Sequence, residues 1–145
     1  MRRNESGTSL IEFALTAPFL CLLLIGIVEI GRFTFFAILA ANAARAGAQY
    51  ASQNLGTAVN APQIQSAALQ DAQSLSNWQV TATPLCSTGG APPIQCNGTG
   101  TAPSESMVYY VKVQVAGTFT SLLNYPGIPN SFPITATAIM PVTSQ

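Results

Sequence analysis

Phe13-Ala-Leu-Thr-Ala-Pro-Phe-Leu-Cys-Leu-Leu-Leu-Ile-Gly-Ile-Val28 is a run of sixteen residues without a charge, closed by Glu12 on one side and Glu29 on the other. Crossing the hydrocarbon core of a bilayer takes roughly 20 apolar residues of helix. Ser9 to Ile11 and Ile30 to Gly31 make up the shortfall, and bring a glutamate near each edge. Almost no polar face shows between Phe13 and Val28, which sets the run apart from the core helix of a soluble protein. The stretch Phe33 to Ala41 is too short to span alone and reads as the same helix continuing, with Ala40 to Ala51 extending it. A helix from Ser9 to Ala51 is a rod on the order of 60 Å, longer than a bilayer is thick, so its far end stands in water or against protein.

Working outward, the composition agrees with a membrane segment joined to a small polar module. Of 145 residues, 48% are hydrophobic and 7% charged, against about 25% charged in a typical soluble domain. Five basic and five acidic residues cancel, which removes the basic face a nucleic-acid binder needs. Histidine is absent, and with it the Ser-His-Asp and Cys-His catalytic arrangements and every His-containing metal site. After Arg45 only Asp71, Glu105 and Lys112 are charged, and the composition shifts near residue 55, where we place the module boundary.

A cleaved secretory signal has a similar order of parts: basic residues, an apolar stretch, then small residues at Ala41-Asn-Ala43. Here the small-residue site lies well past the apolar core, with Glu29 and Arg32 between. A twin-arginine signal fails because Asn-Glu-Ser follows Arg2-Arg3. Basic flanks stay cytoplasmic, so Arg2 and Arg3 direct the C-terminal part outward. Pro18 removes one helical hydrogen bond, a change that membrane helices tolerate. Gly26 and Gly31 allow close helix approach without GxxxG spacing. Glu29 and Arg32, three apart on one helix face, are expected to pair within the membrane segment. Glu12 has no such neighbour. An acid inside a membrane is a functional hypothesis by default, and its plainer alternative is a glutamate reaching the headgroups.

Gly7-Thr-Ser-Leu-Ile-Glu12-Phe resembles the processing site of type IV pilin-like proteins. Ile11-Glu-Phe-Ala-Leu-Thr-Ala-Pro-Phe-Leu20, Gly26-Ile-Val-Glu-Ile-Gly-Arg32 and Asn42-Ala-Ala-Arg-Ala-Gly-Ala-Gln-Tyr-Ala51, in that order, resemble the TadE-like family, pseudopilins or minor pilins of the tight-adherence (Flp pilus) system. Ile134-Thr-Ala-Thr-Ala-Ile-Met-Pro141 is a weaker echo of how such proteins end, and the outer region is less charged than in many of them. The resemblance implies that a prepilin peptidase cuts between Gly7 and Thr8, making Glu12 the fifth residue of the mature chain. Glu12 then lies four residues from a new α-amine on Thr8, as partner of its own or a neighbour's terminus. It implies other pilins, pseudopilins and pilus assembly proteins as partners, beside membrane lipid.

In the outer module, Ala61 to Leu75 reads as a helix, with Pro62 in its first turn and Ile64, Ala68, Ala72 and Leu75 on one stripe. Trp78 to Ala82, Tyr109 to Val115 and Ile134 to Met140 read as strands. Cys86 and Cys96 bracket a turn-rich loop; a disulfide, a metal pair and two free thiols are the options, and an oxidising periplasm favours the disulfide. Cys21, in the apolar run, reads as packing. Gly89-Gly90 and Gly98-Thr-Gly100 lack the lysine and setting of a phosphate loop. Asn97-Gly98-Thr99 matches a glycosylation acceptor that a bacterial pilus protein would not ordinarily use, and Lys112 has no serine at a hydrolase spacing. Tyr109, Tyr110, Phe119, Tyr125 and Phe132 read as core and sheet packing.

The expectation is an α+β chain in three parts: a leader over 1–7, a transmembrane and extended helix over 8–55, and a small periplasmic domain over 56–145 with a helix and about three antiparallel strands. No catalytic residue, metal site, cofactor or nucleic-acid partner is expected. The function expected is non-enzymatic, in assembly of a Flp-type adhesion pilus from the bacterial inner membrane. The alternative is a membrane-tethered periplasmic binding domain outside any pilus.

Overall fold

Ala and Leu are the commonest residues in the N-terminal third of the chain, and their side chains lose little or no freedom on a helix. The computed structural model accordingly places Ser6–Ala51 in one α-helix, α1, with Pro18 inside it. The structure describes residues 6–70, 72, 78–88, 90–96, 107–123, 127 and 129–143. Arg2, Arg3, Leu75, Gly89, Asn97 to Gly100 and Tyr125, singled out in the sequence, lie outside them. The chain forms two compact units, Met1–Thr34 and Phe35–Gln145.

In the first unit, two threonines return hydroxyls to the helix backbone. Thr16 Oγ1 donates to the carbonyls of Glu12 (3.0 Å) and Phe13 (3.2 Å), and Thr34 Oγ1 donates to that of Ile30 (2.8 Å). Neither hydroxyl is left to face an apolar medium bare, where an unpaired polar group costs several kcal/mol.

The second unit contains the tail of α1, two short helices and a sheet. α2 (Leu55–Ala58) starts at a reciprocal cap: Thr57 N–H donates to Asn54 Oδ1 (2.9 Å), and Asn54 N–H donates to Thr57 Oγ1 (3.2 Å). α3 (Ala61–Gln70) carries Pro62 in its first turn and buries Ile64 and Ala68. Ala72 is also buried, while Asp71 and 73–75 of the expected helix fall outside the described residues. The strands are β1 (Gln79–Thr88), β2 (Ile94–Gln95), β3 (Met107–Thr120) and β4 (Ser131–Pro141), all antiparallel in the order β2-β1-β3-β4. The three expected strands are present and longer, and β2 adds a fourth inside the cysteine loop.

Strand alternation sorts the sheet into two faces. Val111, Val113 and Val115 of β3 are fully buried on one face, beside Val80 and Ala82 of β1 and Ala136 and Ala138 of β4. Against that face lies a stripe of small residues from α1: Ala40, Ala43, Ala44, Ala48 and Ala51, all buried, with α3 supplying Ile64 and Ala68. The spacing is helical, and the residues are small because three layers meet there. A Cβ on Gly47 would stand 3.1 Å from both Ala68 Cβ and Val113 Cγ1. Phe36 closes one end against Phe119, ring centroids 5.8 Å apart. Gly117 is a glycine for Trp78: an added Cβ would enter the indole, 2.6 Å from its Cγ. The other face is polar, with Thr81, Thr83, Lys112, Gln114, Thr135 and Thr137. The end of α1 is closed from far along the chain, where Thr143 N–H donates to Ser52 O (3.0 Å) and Thr143 Oγ1 to Gln53 O (2.7 Å).

Candidate functional site: the exposed helix and its charged residues

The residues with the clearest chemical meaning lie on α1. From Leu10 to Ile30 every large apolar side chain except the half-buried Ile25 is exposed, Phe19 by 75% and Leu10 by 70%. A sleeve of this kind in water would expose far more apolar surface than soluble monomers do. Among the described residues one helix, Gly7–Ala51, is long and apolar enough to cross a membrane, with none of its most apolar window buried by protein.

Gly7 and Thr8 stand in the first turns of α1, both exposed, and a Cβ on Gly7 would meet nothing within 4 Å. Glu12 stands four residues after Thr8 on the same helix, exposed, so one turn separates the Thr8 backbone from the Glu12 side chain. No ion-pair partner faces Glu12 among the described residues. Glu29 and Arg32 do meet: Arg32 Nη1 lies 3.3 Å from both Oε1 and Oε2 of Glu29. In water a pair of this kind contributes about 0–1 kcal/mol. In hydrocarbon each charge alone costs about 3 kcal/mol on insertion scales, so pairing them matters much more there.

Two of the three cysteines fall in the second unit. Cys86 on β1 and Cys96 just after β2 form a disulfide, with Cα atoms 5.2 Å apart. It closes a short hairpin in which Leu85 pairs with Gln95 and Cys86 with Ile94, while Ser87 Oγ donates to Ala91 O. Cys21 is free and exposed on α1. Among the described residues no cluster of His, Cys, Asp and Glu has the makings of a metal site. Thr16 and Thr34 were not singled out in the sequence. Their signal was a lone hydroxyl in an apolar helix, which ordinarily turns back to the carbonyl one turn earlier.

The apolar sleeve thus begins beside Gly7 and Glu12, and its charged pair follows near residue 30. Residues 7–49 match the TadE-like protein family. The match starts at Gly7 and takes in nearly all of α1, including the Glu29–Arg32 pair and the stretch from Ala40 to Ala48 that packs on the sheet. No curated protein and no solved structure matches the chain. The match covers 43 of the 145 residues and leaves the sheet outside it.

Proposed function

We propose that this chain is a TadE-like pseudopilin or minor pilin. In this reading α1 anchors it in a bacterial inner membrane, a prepilin peptidase cuts it after Gly7, and it takes part, without enzymatic activity, in assembling a Flp-type adhesion pilus. The observation that carries the reading is the TadE-like match beginning at Gly7 and running along a helix whose most apolar window is covered by no described part of the protein. Arg2 and Arg3 hold the leader on the cytoplasmic side, and the Cys86–Cys96 disulfide agrees with an oxidising periplasm for the outer unit.

The chemistry of the cut follows from the sequence. Removing Met1 to Gly7 discards two arginines and creates an α-amine on Thr8, one turn from Glu12. Within the membrane segment, both groups are less penalised when paired with each other, or with the same groups on a neighbouring pilin, than when alone. Pairing between neighbours would set axial register in an assembly.

Intact-mass measurement of protein accumulated in cells with an active prepilin peptidase tests the cut. The mature chain is expected to begin at Thr8, and a Gly7→Trp chain to stay full length. Met1 on the accumulated wild-type protein, or a cut near Ala43, overturns the reading. Glu12→Gln keeps the shape of the side chain and drops its charge. It is expected to leave cleavage and protein level intact while reducing surface pili. Normal piliation at normal protein level would make Glu12 a spectator and favour a helix that only tethers the outer unit.

A further inference from the structure

The sheet of the outer unit has two edges, and they are treated differently. On the β1 side, β2 pairs with Leu85 and Cys86, the disulfide holds it there, and Cys96 N–H donates to the outward-facing Pro84 O (3.5 Å), so the C-terminal half of β1 is covered. α3 also lies against β1. On the other side β4 pairs with β3 alone, and no described strand covers its far edge. An open edge of eleven residues is long, and β4 contains no charged side chain to discourage a second strand.

Which backbone groups face that edge follows from the hydrogen bonds. Ser121 N–H donates to Asn130 O (2.9 Å) and Val142 N–H donates to Tyr109 O (2.8 Å), so even-numbered residues along β4 turn toward β3. The odd-numbered residues Ser131, Pro133, Thr135, Thr137, Ile139 and Pro141 turn outward. The two prolines lack an N–H and bracket three outward donors, Thr135, Thr137 and Ile139, all exposed, with Ser131 beyond the first proline. The prolines lie four residues before and four after Thr137. Turned end for end, the strand presents the same pattern: stop, three donors, stop.

We infer that β4 is a self-pairing edge, and that two copies of this chain join antiparallel about Thr137 to make one continuous sheet. In that register Thr135 faces Ile139 of the second copy, Thr137 faces itself, and proline faces proline. Each available N–H meets a carbonyl, no donor is stranded opposite a proline, and no like charges are opposed. The two-fold contact uses the β4 edge of both copies at once, so it is an isologous contact closed at two copies and not an open fibre. The contact belongs to the outer unit and holds whether or not the chain serves a pilus.

The full chain in detergent, with Cys21→Ala to leave only the disulfide pair, is the material for the test. A two-fold on Thr137 places its two Cα atoms about 5.5 Å apart, within disulfide reach. Thr137→Cys is expected to give an oxidised covalent dimer, whereas Thr81→Cys, exposed on the shielded side, is not. Thr137→Pro removes one outward N–H per copy without touching β3 pairing, and is expected to weaken dimerisation about tenfold or more. Retained near-ultraviolet dichroism of Trp78 shows that the variant folds; if it does not, Thr137→Lys, which opposes two like charges across the two-fold, takes its place. Equal cross-linking at Thr81 and Thr137, or an unchanged dimer in the folded variant, overturns the inference. An unchanged dimer would then be held by α1.

Discussion

A single helix, α1, shows two kinds of surface. From Leu10 to Ile30 its large side chains, Leu, Ile, Val and Phe, are exposed but for the half-buried Ile25, and from Ala40 onward it buries Ala40, Ala43, Ala44, Gly47, Ala48 and Ala51. Ranked by hydrophobicity alone, the wrong half is inside. The contrast shows that burial along α1 is governed by what the helix meets. A lipid phase takes bulky side chains with no need for complementary shape. A sheet and a third helix approaching within contact distance of Gly47 leave room for little more than a methyl group.

The sharpest way to break that contrast is to add volume where the outer unit has none. Gly117→Val drives a side chain into the Trp78 indole and is expected to destabilise the unit by about 3 kcal/mol or more, abolishing cooperative unfolding followed through Trp78. A normal transition would show that the tight inner surface has slack. Next, replacing Cys86 and Cys96 together by Ser is expected to lower stability by roughly 2–3 kcal/mol, read as a shift in urea midpoint. The same shift on adding reductant to the wild type, and none in the variant, would confirm its source. The smaller and more pointed comparison uses opposite substitutions on α1. Ala48→Leu is expected to destabilise the outer unit by about 1–3 kcal/mol through overpacking. Leu23→Ala, which removes the same volume that Ala48→Leu adds, is expected to leave the unit's midpoint within about 0.5 kcal/mol and to weaken only membrane partition, by flotation. Equal midpoint shifts from the two would end the distinction.

The sequence displayed the first half of α1 openly, because an uncharged run of that length has few other uses. It displayed β3 as well, through the alternation of Tyr109, Val111, Val113 and Val115. Less visible was the second half of β1. The expected strand stops at Ala82 and the turn-rich loop takes in Ser87 and Thr88, yet the Pro84 carbonyl, and with it the position of the missing N–H, faces the outer edge, where no bond to β3 is lost. β2 was hidden because two residues make no pattern, and α2 because four residues held by a cap do not either. The packing role of Ala40 to Ala51 was hidden for a different reason. Alanine fits water, lipid and a protein core about equally well, so only the strands laid against it reveal which it has. For the charged residues the position is uneven. Spacing alone allowed the Glu29–Arg32 contact, whereas Gly7 and Glu12 were singled out by resemblance, and no ion-pair partner faces Glu12 among the described residues.

The bond from Thr143 back to Ser52 and Gln53 spans about ninety positions of chain. In terms of folding order, the tail of α1 forms early and then waits for β3, and longer for β4, before its inner stripe and its last carbonyls are covered. A stripe of leucines left uncovered for that interval would be an adhesive surface. The alanine stripe offers other chains only methyl groups, so the residues that let the finished layers approach closely also keep the unfinished molecule from sticking.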